Sequence, residues 1–273
     1  MKLAIQADML PARSASERYQ MAQDLGFDGI ELWAQGLDDR LLEVAGALNT
    51  LNLEVASVHL GAMDGYLSPN IEMREAAISK MRQAMATAVD LQCANVVFVP
   101  HWGTLATPDL TPHRSAEEIS SDLMIWLLRT VSDLAYALGT TLHMQPRHRY
   151  HTAFMNTVPQ AVKFSDAIKD NPHVRIAPNL FDMALEEADV IDSLVTHGKR
   201  MGYLYLADSN GRLPGQGVYD WAKIADAIRS SGYDGWLCLS AGKAITNPKE
   251  QYRIYDGLAD SLTLLRDVGL ISS

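Results

Sequence analysis

The sequence predicts an α/β chain folded as a single (β/α)8 TIM barrel spanning residues 1–273, and three observations predict it. Eight short apolar runs recur along the chain, each succeeded by a longer stretch with helical periodicity. Strands that alternate with helices pair in parallel through right-handed crossovers, which is how such barrels are wound. The length of 273 residues, with no composition break resembling a linker, suits one barrel of about 250 residues. An open doubly wound sheet is the alternative, but the first turn, ADMLPARS, has no GxGxxG fingerprint. The period is too irregular for a solenoid, and no low-complexity segment interrupts it.

In chain order, the strands are expected at Leu3–Ala7, Gly29–Trp33, Leu53–His59, Asn95–Pro100, Thr141–Gln145, Val174–Pro178, Tyr203–Ala207 and Trp236–Leu239. Between them, Ser14 caps a helix through Leu25, and Pro69-Asn70 opens a long one through Leu91. Ser115 with Glu118 three residues later is a capping box, which starts a helix through Leu138. Gly26, Gly139, Gly198 and Gly232 stand where helices end, as glycine does just past a last turn.

Composition narrows the function. With 48% hydrophobic and 21% charged residues the chain can bury one sizeable core. A formal net charge of −10 disfavours a nucleic-acid partner, because that binding is carried by Lys and Arg on phosphates. The opening MKLAIQADML has too short an apolar run for a secretory signal, and no window approaches a membrane span. A cytoplasmic protein without a membrane partner is expected. Cys93 and Cys238 stand alone in apolar surroundings, which reads as two buried thiols rather than a metal or redox pair.

The stretch Leu142–His151, LHMQPRHRYH, locates the candidate site. Alternation sends Leu142 and Met144 one way and His143 and Gln145 the other, until Pro146 ends the ladder. Gln145 then lies at the carboxyl end of its strand, where barrels build active sites. The polar and aromatic residues at and just past the strand ends add Asp8, Glu31, His59, His101, Trp102, Arg147, His148, Arg149, His151, Asn179, Asp182, Tyr205, Asp208, Asn210, Arg212 and Ser240. His59 and His101 converging with Asp182 is a metal reading, but neither spacing nor a carboxylate-rich shell supports it, so no metal and no cofactor is expected. The glycine-bearing segment Leu213–Trp221 is either a phosphate cradle at a helix start or a plain tight turn. The run Arg147–His151 either grips a carboxylate or phosphate through arginine forks or is a solvated loop.

Five segments, in barrel order, carry a resemblance: FDGIELW from Phe27, QPRHRYHTAF from Gln145, NLFDMALEE from Asn179, YLYLADSNGRLPGQGVYDW from Tyr203 and GYDGWLCLS from Gly232. Over nearly its whole length the chain resembles the sugar isomerase/epimerase group with a xylose-isomerase-like barrel, which includes tagatose and psicose 3-epimerases and hydroxypyruvate isomerases. The resemblance implies a divalent metal held by Glu, Asp, His and Glu at the ends of strands 5 to 8, the two glutamates moving a proton beside a carbonyl. At those positions this chain has Gln145, Asn179, Tyr205 and Ser240. The family's substrate-contacting histidine three residues after the strand-6 Asp appears as Asp182, and its arginine after strand 7 falls at Gly211 with Arg212 beside it. Glu31, Arg149, Asp208, Asn210 and the PGxGxxDW turn remain.

Amide, phenol and hydroxyl groups supply no formal charge, so the two-glutamate metal mechanism is not expected here. Gln for Glu and Asn for Asp keep shape and hydrogen-bonding capacity, so the pocket still suits a polyol. The leading expectation is a carbohydrate-related barrel that acts on a sugar or sugar acid without the family metal. Acid–base work would fall to His143, His148, His151 or Asp182, since histidine titrates near neutrality, with Arg147 or Arg149 on an anionic group. Glu31, His59, His101, Trp102, Gln145, Asn179, Tyr205, Asp208, Arg212 and Ser240 are expected to line the substrate pocket. The rival expectation is a catalytically silent carbohydrate-binding or partner subunit on the same barrel. A DNA-repair endonuclease on the related barrel is a third reading: His59 and His101 sit where that branch places zinc ligands, but its other ligands are missing and the charge opposes DNA. A homo-oligomer is implied by resemblance only.

Overall fold

Eight parallel strands occupy the predicted places: β1 (Leu3–Gln6), β2 (Gly29–Trp33), β3 (Glu54–His59), β4 (Asn95–Phe98), β5 (Thr141–Met144), β6 (Val174–Ile176), β7 (Tyr203–Leu206) and β8 (Trp236–Leu239). The computed structural model describes residues 1–241 and 248–272. The strands are hydrogen-bonded in the order β6-β5-β4-β3-β2-β1-β8-β7. Closure between β6 and β7 is looser. There Gly202 N donates to Ile176 O at 3.0 Å and Tyr205 N to Pro178 O at 3.0 Å, with parallel bridges Ile176–Met201 and Asn179–Tyr205. The result is a nearly closed (β/α)8 barrel.

Several strands stop one or two residues sooner than expected. Ala7 already opens a short 3-10 turn, and Pro100 and Pro178 have no N–H to extend a ladder. Gln145 lies past the end of β5 yet still donates its N–H to Phe98 O at 2.9 Å, which fixes where its side chain emerges.

Helices α1 (Ala15–Asp24), α2 (Leu41–Leu48), α3 (Ile71–Asp90), α4 (Ala116–Leu138), α5 (Val158–Ala167), α6 (Leu180–Glu186), α7 (Val190–His197) and α8 (Trp221–Ser230) return the chain between strands, and α9 (Pro248–Asp267) follows β8. The local signals act as read. Ser14 accepts from Glu17 N, Asn70 from Glu72 N, and Ser115 with Glu118 forms the full capping box. A second box, Thr157 with Gln160, starts α5 with a proline in its first turn. Each such cap holds N–H groups that no helical carbonyl reaches, and is worth about 1 kcal/mol.

Alternation along each strand divides the core in two. Leu3, Ile5, Leu142, Met144, Leu204, Leu206, Leu237 and Leu239 face out and pack under the helices. Ala4, Ala56, Val97, Ala177, Tyr203, Tyr205 and Cys238 form a separate, smaller cluster inside the barrel. Both cysteines are buried free thiols, as expected, and burial pushes Cys93 up to about 12. Above the inner cluster the lumen turns polar, and the candidate site begins there.

One expected helix stop holds for a different reason, since α7 does end at Gly198 but without a left-handed glycine. Gly139 ends α4 in the left-handed region at φ 66°, but Gly198 has φ −53° and opens a 3-10 turn after α7. Its glycine answers a different need: a Cβ there would lie 2.1 Å from Ser231 Oγ and 2.3 Å from Ser231 Cβ. The end of α7 is thus pressed against the end of α8, where only hydrogen fits. Gly198→Ala is expected to destabilise by about 1–3 kcal/mol through overpacking. Urea denaturation checks this, and adding Ser231→Gly should recover most of the loss.

No helix among the described residues is long and apolar enough to cross a membrane.

Candidate active site at the barrel mouth

A buried carboxylate organises the floor of the mouth. Glu31, at 2% exposure, lies near the end of β2 and points inward. It accepts from Gln6 Nε2 at 2.8 Å, Ser57 Oγ at 2.5 Å and Tyr205 Oη at 2.7 Å. Burial, then the nearby Glu31 charge, raises the Tyr205 phenol well above its ordinary range, so it remains a donor. Three donors on one carboxylate satisfy the rule that a buried charge needs partners.

The four positions where the resemblance places metal ligands join this protein-bound network. Gly61 N donates to His59 Nδ1 at 2.8 Å, so the ring proton sits on Nε2 and is donated to Gln145 Oε1 at 2.9 Å. Burial holds His59 below its usual pKa, consistent with that neutral ring. Asn179 Oδ1 caps α6 by accepting from Phe181 N at 2.9 Å, Tyr205 donates to Glu31, and Ser240 Oγ donates to Gln6 Oε1 at 3.1 Å. Hard divalent ions are held by anionic and carbonyl oxygens in excess. Four uncharged groups whose lone pairs or hydrogens are already turned to the protein do not fit one.

The charged part of the mouth is carried by the loop after β5 and the start of α6. Asp182, 1% exposed, accepts from His148 N through Oδ1 at 3.0 Å, while its Oδ2 has no hydrogen-bond partner among the described residues. His148 Nε2 lies 3.6 Å from Oδ1 and Arg147 Nη1 3.4 Å from Oδ2. The His148 and His151 rings stack with centroids 4.1 Å apart, and Arg147 Nη2 donates to His151 Nδ1 at 3.0 Å. Arg147 also lies over the Trp102 ring at 5.9 Å. Burial raises the Asp182 carboxyl above the ordinary carboxylate value, with Arg147 opposing. Desolvation and the Arg147 charge push His151 down to about 4.

A cleft of about 520 Å³ runs between the loops after β2 and β3 and helix α3, lined by Trp33, His59, Gly61, Met63 and Lys80. His59 is shared between the cleft and Gln145, so the cleft opens onto the barrel mouth.

Several expected site residues are placed elsewhere. His143 is corrected: it faces inward as read, but lies two residues below Gln145, fully buried, with Nε2 2.8 Å from Asn95 Oδ1 and its ring against Gly202. Burial, then the nearby Arg175 charge, pushes it to about 3, so it is a neutral core imidazole. Asp208 is also corrected. It is 0% exposed, and its two oxygens accept from Ser209 N, Ser209 Oγ, Gly215 N, Tyr219 N and Trp221 Nε1, which leaves nothing for a substrate. The Leu213–Trp221 turn does cradle an anion, and the anion is this side chain.

Arg149 is committed to Glu186 through a fork, Nε–Oε1 at 3.0 Å and Nη2–Oε2 at 2.8 Å, on the outer side of the loop. Arg212 gives its backbone to the turn and exposes its side chain. His101 hydrogen-bonds Thr104 O at 2.8 Å and pairs with Asp64 at 3.4 Å. His59 and His101 therefore do not converge with Asp182. Among the described residues, the group whose ligand atoms approach one another, all within 4.8 Å, is His148, His151 and Asp182.

Sequence reasoning missed Gln6, Ser57 and Asp64. For the first two a signal existed, since each is polar within a strand whose neighbours are apolar.

Comparison with known proteins agrees with the barrel fold. The chain is 25% identical over 272 residues to 3-dehydro-D-guloside 4-epimerase of Escherichia coli K12, covering 97% of this chain and 99% of that one. It is 35% identical over 108 residues to D-psicose 3-epimerase of Enterocloster bolteae, covering 40% of this chain and 36% of that one. A crystal structure of D-psicose 3-epimerase with D-tagatose from Clostridium cellulolyticum H10 superposes with a TM-score of 0.82 at 20% identity, covering 98% and 99%. The family model described as xylose isomerase-like TIM barrel matches residues 19–255. The chain therefore belongs to the xylose isomerase-like TIM barrel family, among relatives that are sugar epimerases.

Proposed function

We propose that the chain is a sugar isomerase/epimerase-type enzyme that acts on a small carbohydrate or sugar acid without the family's divalent ion, with acid–base work done by Asp182, His148 and His151. The observation that carries this reading is a pair of neighbouring features. A neutral, internally hydrogen-bonded quartet stands where the resemblance would put metal ligands, and a carboxylate with one oxygen unpartnered among the described residues lies beside two imidazoles at the same mouth. The relatives supply the reaction class, since epimerases move a proton at a carbon next to a carbonyl.

Chemistry assigns the roles. A general base works best with a pKa drawn toward neutrality, and burial moves Asp182 in that direction. His148 holds the Asp182 carboxyl through its backbone N–H and sets an imidazole 3.6 Å away, where a proton is readily passed on. Trp102 and the Trp33 side of the cleft offer apolar faces to a sugar ring.

The test is turnover of ketoses, aldonates and keto-glycosides in chelator-treated buffer, with metal content measured on the same preparation. Activity is expected to survive chelation and to fall about 10²–10⁴-fold in His148→Ala. Strict dependence on added divalent ion would overturn the metal-free reading. Saturable sugar binding with no turnover would instead support the silent carbohydrate-binding barrel.

A further inference from the structure

The charged cluster at the mouth holds a contradiction that points past the acid–base reading. His148, His151 and Asp182 offer two imidazoles and a carboxylate with ligand atoms all within 4.8 Å of one another, a donor set suited to a divalent transition metal. Arg147 is already there. Its Nη2 donates to His151 Nδ1 at 3.0 Å and so takes up that lone pair, and its Nη1 lies 3.4 Å from Asp182 Oδ2, so a positive charge already stands where an ion would sit while Oδ2 keeps its lone pairs. It is half-buried, with Nε enclosed and unpartnered, and it is braced over Trp102 at 5.9 Å. An arginine held on two sides and by stacking is a fixed charge rather than a solvated one.

We propose that the Arg147 guanidinium is the electrophile of this barrel, a built-in cation that takes the place of a divalent ion and binds the oxyanion formed on a sugar's carbonyl oxygen. The proposal rests on the epimerase-type reading above and deepens it. In the step it serves, the C–H bond beside the carbonyl breaks and its electron pair becomes the C=C bond of an enediolate. The carbonyl π pair moves onto oxygen, and the proton goes to Asp182 Oδ2. Return of a proton to carbon reverses each move, so no outside oxidant or reductant is needed.

The charge accounting favours Arg147 for this role. Before the step Arg147 faces the Asp182 carboxylate. After it Asp182 is neutral, the negative charge sits on the substrate oxygen, and the same guanidinium can pair with it. The site's net charge never changes, and a preorganised donor in a water-poor pocket is the arrangement that stabilises such an oxyanion. A carboxylate in the place of the carbonyl resembles that oxyanion, so the site should prefer an aldonate to the matching alditol.

Two measurements that need no turnover test this, so a failed search for a substrate does not decide it. In a Co²⁺ titration the wild type is expected to show no visible ligand-field band, whereas Arg147→Met, with its fold verified by its melting curve, is expected to gain one. In calorimetry the wild type is expected to bind D-arabinonate at least tenfold more tightly than D-arabinitol. Arg147→Met should lose that preference, and Arg147→Lys, which keeps charge without the fork, should keep part of it. The same Co²⁺ band in wild type and variant overturns the proposal, because ion and arginine would then coexist. So does a folded Arg147→Met that gains no band, an equal aldonate preference with and without Arg147, or no aldonate preference in the wild type.

Discussion

Asp208→Ala is expected to cost the fold about 3–5 kcal/mol, because it leaves buried donors from Ser209, Gly215, Tyr219 and Trp221 without an acceptor. Each orphaned donor alone costs about 1–3 kcal/mol, and the loop relaxes enough that the sum is not reached. At about 2–4 °C per kcal/mol for a chain of this size, the melting temperature should fall by on the order of 10 °C. Asp208→Asn should not rescue it, since one amide NH₂ would face donors. The pH dependence gives a second check. Burial alone would raise the Asp208 pKa, yet hydrogen bonds from Trp221, Ser209, Tyr219 and Gly215 hold it below the ordinary value. A carboxyl with a depressed folded pKa stabilises fully above its unfolded value of about 3.9, and that stability drains as pH falls toward the folded value. Urea curves should therefore show a wide gap between wild type and Asp208→Ala at pH 7 that narrows at pH 3. Equal stability at pH 7 would refute the latch.

Asp208 also shows what a sequence can and cannot say about a site. Its place after β7, before a glycine-bearing turn, was legible, and so was the choice between an anion cradle and a tight turn. What no local pattern held was that the cradle closes on a side chain of the same loop. Gly217 passes so near that a Cβ would lie 2.0 Å from Asp208 Oδ1, a contact set by the path of the whole loop. His143 teaches the same lesson. Its inward parity was readable from alternation, but depth along the barrel axis was not, and two residues separate a neutral core ring from the mouth. The strands, by contrast, were read almost to the residue, because apolar runs and helix caps are local signals. The Glu31 network joins β1, β2, β3 and β7, and pairs 174 residues apart leave no spacing to recognise.

The second large effect sets function against stability at Asp182. Asp182→Asn is expected to lower turnover about 10²–10⁴-fold, the usual contribution of a general base, while the fold holds. The substitution keeps an Oδ1 to accept from His148 N, and it removes a charge that the pocket desolvates. The linkage sign runs opposite to that of Asp208. Because burial raises the folded pKa of Asp182, the folded state binds the proton more tightly, and stability from this group falls as pH climbs from about 3.9 through the folded value. At neutral pH the wild type carries that cost and Asp182→Asn does not, so its melting temperature should match or exceed the wild type's. Wild-type turnover should rise over the same pH interval in which Asp182 loses its proton, and the variant should lack that limb. A merely structural Asp182 would give the reverse pattern, lost stability with an unchanged pH–rate profile. The two buried carboxylates thus separate by the direction in which their surroundings move the proton: Asp208 is saturated with donors and serves the fold, whereas Asp182 is left one hydrogen bond short among the described residues, as the proposed base role requires.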